Sequence, residues 1–321
     1  VGSEMCIRDR SNRIMKPNVL LAGGSGYIGK NISSAIENDA NLFALSKYPN
    51  TKKEVNRNIT WLKKDIYNYE DVKSAMSGMN IAVFYLDPNK NSAKLTQATA
   101  RDLNLIAADN FARAAAQQGI NKILYVRGNR FDSETIQCLK NYGVPVETTE
   151  TYIKRSHINV ELQASKYNDI RTALRMILPR KWSLEQLVAY FFKWLNDTRG
   201  TFLHTKRIKN RYIIYARNKF KPLLVMKKEI NDNDLITFNL VDGSMIKKRS
   251  KKQGKLEFRQ IKGTRLVIVQ LYDYIPRLLW PLYYFFQAPV QGLIMRGFEI
   301  DCRIRHFNGR VQSGEKMKYT K

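Results

Sequence analysis

The stretch VLLAGGSGYIGK, Val19–Lys30, sets a short apolar run in front of Gly23, Gly26 and Gly29, three glycines spaced three apart. Apolar residues without alternation read as a strand buried on both faces. After Gly26 the spacing becomes helical and stays so to about Asn38. A lone glycine motif is weak evidence, but one that opens a helix directly after a first strand is the arrangement that cradles a pyrophosphate. Gly23 then permits the sharp turn, Gly26 lets the backbone approach phosphate and Gly29 lets the helix pack on the strand. The helix N-terminus offers unpaired N–H groups to the anion.

Outward from this point the alternation continues. Strands are expected over Asn41–Lys47, Ile59–Ile66, Asn80–Leu86 and Lys122–Val126, with helices over Tyr69–Met76 and Thr99–Gln118. The second of these helices keeps Leu103, Ile106, Ala107, Asn110, Phe111, Ala114 and Ala115 on one face, and Gly119 stops it. Asp132 or Ser133 caps a further helix that Gly143 ends, and Asp169–Leu178 reads as a sixth strand. Ser183 with Gln186 three residues later makes a capping box for a helix reaching Trp194. Strands alternating with helices mean right-handed βαβ units, hence an α/β fold with a Rossmann-like doubly wound parallel sheet.

Beyond about residue 200 helices stop separating the strands. RYIIYAR (211–217), KPLLVMKK (221–228), LITFNLVDGSMIKK (235–248), KLEFRQIK (255–262) and TRLVIVQLYDYIP (264–276) are divided by polar turns, which predicts an antiparallel sheet. A long apolar helix over about 277–307 closes a smaller α+β domain, with a helix-grip arrangement as one form of it. The expected organisation is a dinucleotide-binding domain over 15–200 and an α+β domain over 201–321, and 321 residues suit two domains. The opening VGSEMCIRDR lacks periodicity and resembles a translated adapter sequence, so 1–14 is set aside as a non-native tail and Met15 is the expected start.

With 44% hydrophobic and 26% charged residues the chain has the composition of a globular protein that buries a core. Its net charge of +27 favours phosphate or anionic lipid as a partner, although a composition rich in Asn, Ile, Tyr and Lys also accounts for it; nucleic acid is not expected. Cys6, Cys138 and Cys302 lie far apart, as do His157, His204 and His306, so neither a metal site nor a disulfide framework is expected. Without an apolar leader the default compartment is the cytoplasm, with a peripheral place at the membrane's inner face as the variant.

The segments LLAGGSGYIGKNI, KKDIYN, VFYLDP, NKILYVRG and RTALRMILP resemble the short-chain dehydrogenase/reductase superfamily over residues 16 to 200, in its atypical NmrA-like and YbjT-like NAD(P)H-binding branch. The resemblance implies that Ser25, Tyr27 and Ile28 sit at the pyrophosphate, that Asp65 and Ile66 flank the adenine, and that Leu86 and Asp87 lie beside the cofactor. Residues 255–300 are similar to the uncharacterised C-terminal domain of YbjT-like proteins, which implies architecture more than activity.

The catalytic pattern departs from this family. Ordinary members pair a Ser near the end of strand five with a Tyr-x-x-x-Lys, whose Lys lowers the Tyr pKa for proton transfer. Here Arg127 and Gly128 stand at the Ser position. Tyr48/Lys52 and Tyr215/Lys219 have the spacing but fall in the wrong places. In TYIKRSHINVELQ, assigned to the active-site helix, Tyr152 is a weak catalytic candidate and His157 a candidate relay. The resemblance sets an NADPH-dependent reductase of a hydrophobic carbonyl or quinone ahead, with a non-catalytic redox sensor or assembly factor as the alternative.

Cofactor choice is expected at the end of the second strand. NAD-selective folds place an acid there for the ribose hydroxyls. This chain has Ser46 and Lys47, so NADP(H) is expected over NAD(H) through a charge-assisted bond from Lys47 to the 2′-phosphate. Two further features bear on partners. MIKKRSKKQGK (245–255) carries six Lys and Arg in eleven residues, and LLWPLYYFFQAPVQGLIM (278–295) is apolar but broken by Pro281, Gln287, Pro289 and Gln291. A peripheral membrane contact is expected ahead of a span. Trp280, Tyr283, Tyr284 and Phe285 are further expected to line a pocket for a hydrophobic ligand between the helix and its sheet.

Overall fold

In the computed structural model, residues 16–23, 26–49, 58–86, 93–128, 130–150, 168–198, 202–247 and 252–315 are described. The chain begins with β1 (Asn18–Leu21), α1 (Tyr27–Ile36), β2 (Asn41–Ser46), β3 (Ile59–Lys63), α2 (Tyr69–Met76) and β4 (Ile81–Phe84). It continues through β5 (Leu95–Gln97), α3 (Ala100–Gln118), β6 (Lys122–Tyr125), α4 (Asp132–Lys140) and β7 (Val146–Thr148). Then follow β8 (Ile170–Ile177), α5 (Leu184–Asp197), β9 (Leu203–Ile208), β10 (Arg211–Ala216), β11 (Pro222–Asn231), β12 (Leu235–Asp242), β13 (Lys255–Gln260) and β14 (Leu266–Tyr274). The last elements are α6 (Trp280–Leu282), a π turn over Tyr283–Gln287 and α7 (Ala288–Gln312).

Two compact units result, one of Val1–Leu86, Asn110–Gly128 and Gly143–Ile153, the other of Asp87–Asp109, Asn129–Tyr142 and Lys154–Lys321. The first holds a parallel sheet in the order β3-β2-β1-β4-β6-β7. Its centre forms because Val19, Leu20, Leu21, Ala82, Val83 and Phe84 are apolar on both faces, as a doubly covered parallel strand must be. α1 lays Ile28, Ile32 and Ile36 on one side of it, at helical spacing. The side chain of Asn68 caps α2 by accepting from the Glu70 N–H at 3.2 Å. The strand order reverses between β1 and β4, and Ala22 N–H donates to the Val83 carbonyl at 3.0 Å just where the two strands end. This is the topological switch point at which open α/β sheets bind ligands.

The second unit carries a sheet in the order β5-β8-β14-β13-β12-β11-β10-β9, antiparallel except for the β5–β8 pair. The strand expected as the sixth of the parallel sheet, Asp169–Leu178, lies here as β8 and pairs antiparallel with β14. Its pattern explains the correction. Arg171 and Arg175 alternate with Ile170, Leu174 and Met176, a half-polar strand that a sheet apolar on both faces would not accept. α5, with the expected box between Ser183 and Gln186, packs on this second sheet as well. β9 escapes a hydrophobicity reading because LHTKRI is mostly polar and exposed.

The two faces of this sheet differ in kind. On one, Ile236, Phe258 and Val269 align and meet α5 and α7 through a web of rings that includes Phe191, Phe192 and Phe298, with centroids 5.0 Å apart for Phe191–Phe298. On the other, Thr237, Glu257 and Gln270 form one row and Arg259 and Arg175 stand in the next. There Arg259, wholly buried, donates to Asp109 of α3 and, at 2.7 Å, to Glu257. Arg175 donates to Asp102 at 2.6 Å and to Glu134 of α4 at 3.1 Å. The buried charges are thus paired, as burial demands. Of the residues expected to line an apolar pocket, only Tyr283 is buried in this core; Tyr284 and Phe285 are exposed on the far side of the helix.

Candidate functional site

The C-terminal ends of β1, β2, β3 and β4 bring together most of the residues that the glycine motif singled out. Gly26 is the N-cap of α1, in extended backbone (φ −84°, ψ 169°), and has no side chain to satisfy the amides of the first turn. Those amides and the positive end of the helix form a site for an anion. Gly23 lies at the end of β1 and supplies the test of fit. Its φ is not positive, and a Cβ added to it would meet no atom within 4 Å among the described residues. Neither strain nor crowding requires glycine there, whereas a pyrophosphate passing close to the backbone would, so the residues fit a dinucleotide.

Tyr85 was not singled out by the sequence motif, although it stands in the quoted VFYLDP. Its hydroxyl is buried beside the Gly23 backbone and makes no well-formed hydrogen bond among the described residues. Burial pushes its pKa above the ordinary tyrosine range, so it is a neutral phenol at the switch point. Ile28, expected at the pyrophosphate, turns its side chain into the core with Leu21, Val83 and Tyr85, which leaves its backbone to face a ligand. Gly29 is buried in α1. Leu86 follows β4 and is half-buried. Ser25, Asp87 and the side chain of Tyr27 lie outside the described residues.

At the end of β2, where the adenosine is expected, the structure makes a pair that sequence positions alone did not suggest. Lys47 neither points to solvent nor waits as an open cation: its Nζ lies 3.2 Å from Asp65 Oδ2, with the two side chains only 5% and 2% exposed. The pair forms because β2 and β3 run parallel in a register that sets Ser46 opposite Lys63. Asp65 is fixed further, accepting from the Tyr67 N–H at 3.0 Å through Oδ1 while its own N–H donates to Asp71. Ile66 is buried and its carbonyl accepts from the Asn110 amide at 3.0 Å, which anchors the loop expected to flank the adenine. Ser46 ends β2, half-buried, and its carbonyl accepts from the Lys64 N–H at 3.1 Å.

Where a family hydroxyl would stand after the fifth parallel strand, the N–H of Arg127 donates to Thr149 Oγ1 at 3.1 Å and Gly128 has a φ of 125°. The helix between the fifth and sixth parallel strands is α4, and the 151–163 segment expected to hold the active-site helix lies outside the described residues. It reads DSETIQCLK, with Ile136 four residues before Lys140 and no tyrosine. Tyr152 and His157 lie outside the described residues.

Residues 23–165 match the family described as NAD(P)H-binding. Among solved structures, Pen from Bacillus thuringiensis is 24% identical with a TM-score of 0.29, over 36% of this chain and 40% of that one. UDP-N-acetylglucosamine 4-epimerase from Bacillus cereus is 18% identical with a TM-score of 0.28, over 35% of each. Over nearly the full length, the auxiliary protein GraX of Staphylococcus aureus (strain NCTC 8325 / PS 47) is 54% identical across 307 residues, 96% of this chain and 100% of that protein. The chain therefore belongs to the family of the auxiliary protein GraX and carries an NAD(P)H-binding domain.

Proposed function

We propose that this chain binds a nicotinamide dinucleotide at the β1–β4 switch point as an accessory protein, without turnover of a substrate of its own. The observation that carries the reading is α4: in the position of the family's proton-donating helix it holds Ile136 before Lys140, and Arg127 and Gly128 replace the partnering hydroxyl. A bound nicotinamide supplies hydride chemistry, but reduction of a carbonyl also needs a proton, and neither α4 nor the end of β6 carries the family's tyrosine or serine to give it, while the Tyr85 phenol is assigned in this reading to the pyrophosphate. That a full-length relative is called an auxiliary protein supports the accessory role. Gly23, the first-turn amides of α1 and the Tyr85 hydroxyl would hold the pyrophosphate side, and Asp65, Ile66 and Lys47 the adenosine side.

NADPH is the preferred form in this reading, because β2 ends without an acid. Lys47 is already paired with Asp65, so a 2′-phosphate gains it only by sharing, and the preference falls below the roughly tenfold or more that an unshared charge-assisted bond would give. Titration of NADPH and NADH, followed by cofactor oxidation with a panel of carbonyls and quinones, tests both parts. Micromolar binding with oxidation at background supports the proposal; turnover that Tyr152→Phe abolishes would overturn it and restore the reductase.

A further inference from the structure

Two features separate in the sequence, the basic stretch 245–255 and the apolar stretch 278–295, are brought together by the second unit. Ile246 bridges Pro276, the Lys247 N–H donates to the Ile275 carbonyl at 3.1 Å, and the Arg277 N–H donates to the Met245 carbonyl at 3.1 Å. Met245, Ile246 and Lys247, where the basic stretch begins, therefore lie beside the segment that leads into the apolar helix. Lys94 adds a further cation there, 4.1 Å from the centre of the Trp280 ring. Neither 243–256 nor 274–298 contains a single Asp or Glu.

The helix has two apolar faces. One packs on the core through Tyr283, Ala288, Phe298 and Cys302. On the opposite side Leu279 is 74% exposed, Phe285 70%, Phe286 66% and Leu293 72%, and the stripe continues through Ile304 and Phe307. At 1.5 Å per residue it extends roughly 45 Å. Arg296, Arg303 and Arg310 recur every seven residues along one shoulder of this stripe. The acids that follow are occupied within the helix, Glu299 with Arg296 and Arg303, and Asp301 with Arg305. Apolar faces of this length are covered by something in a working protein.

We propose that this outer face docks on an anionic lipid bilayer, with the helix lying in the interface and Lys94, Lys247, Lys252 and the arginine shoulder reaching the headgroup phosphates. Buried apolar area and basic flanks are the two terms that hold an interfacial helix, and arginine stems can lie along the apolar layer while their heads reach phosphate. No helix among the described residues is long and apolar enough to cross a membrane, which leaves the in-plane mode. The occupant is lipid rather than a second copy of the chain because Tyr284, Phe285 and Phe286 are exposed in succession. A paired helix covers only two positions in seven, whereas a fluid surface accommodates all three rings.

The test is flotation of the full chain with vesicles of phosphatidylcholine alone or with added phosphatidylglycerol, at low and high salt. Partition to the anionic vesicles that falls with salt is expected, as is a loss of about tenfold or more for the paired change Lys247→Glu and Lys252→Glu, at roughly fivefold per charge. The paired change Phe285→Glu and Phe286→Glu should abolish partition, with circular dichroism and melting unaltered because both side chains are exposed. Equal behaviour on neutral and anionic vesicles, or wild-type partition by the phenylalanine variant, would overturn the proposal. A dimer seen by light scattering without lipid, and dispersed by the phenylalanine variant, would assign the face to a second copy instead.

Discussion

Lys47 and Asp65 show how much one pairing changes at the scale of single residues. Lys47 is expected at the cofactor from its place at the end of β2 and Asp65 from the family resemblance, but their contact was not legible, because it depends on the register of β2 on β3. Removing the acid should weaken the competition for the cation: Asp65→Asn is expected to raise the ratio of NADPH to NADH affinity several-fold, and Lys47→Ala to bring it to about one, each read by titration calorimetry. An unchanged ratio in both would take selectivity away from this pair. His306 supplies a pH prediction of its own. Burial, and then the charges of Arg265, Arg310 and Arg180, hold its pKa below the ordinary histidine value while its Nδ1 faces the Leu178 carbonyl. The folded state thus resists protonation, so its contribution to stability is complete above the unfolded value of about 6.5 and is lost as pH falls through that value towards the folded one. Melting temperature should drop between pH 7.5 and 5.5, and His306→Gln should flatten that drop.

Among the elements, those with a single clear period were legible and those with a mixed one were not. β1, β4 and β6 are apolar apart from the opening Asn18 and Lys122, and α5 carries its own start signal in Ser183 and Gln186, so all four form over close to the expected residues, although α5 packs on the second sheet. β8 was assigned to the parallel sheet from its place in chain order, whereas its Arg175 marks a face that meets Asp102 and Glu134 in the second unit. The same face holds Arg259 between Asp109 and Glu257, and Arg259→Met would take from two buried carboxylates the cation that they share, leaving hydrogen bonds such as those from Tyr142 and Gln270. A loss of about 3–5 kcal/mol in urea unfolding is expected; a loss below about 1 kcal/mol would mean that water reaches the cluster. At the β12 turn, Gly243 has a φ of 138° and an added Cβ would lie 2.2 Å from the Leu223 carbonyl oxygen. Gly243→Ala should therefore destabilise the second unit by more than the ~1 kcal/mol of an average substitution, visible as a lower melting temperature.

For the whole molecule, the glycine motif announced the parallel α/β fold of the first unit, and the proposed accessory role rests on the residues of α4. The two proposals rest on different units and fail separately, since nucleotide binding is read at β1 and β4 and lipid docking at α6 and α7. A change confined to Gly23 should leave vesicle partition untouched. It is also the sharpest probe of the central claim, because nothing among the described residues needs a glycine there. The decisive measurement is calorimetric titration of NADPH and NADH into the wild type and Gly23→Ala, with thermal unfolding of both. The account predicts melting temperatures that agree, as for a substitution worth less than about 0.5 kcal/mol, together with a loss of at least about tenfold in affinity for both nucleotides, equivalent to ~1.4 kcal/mol. Unaltered affinity in a folded Gly23→Ala protein would contradict it.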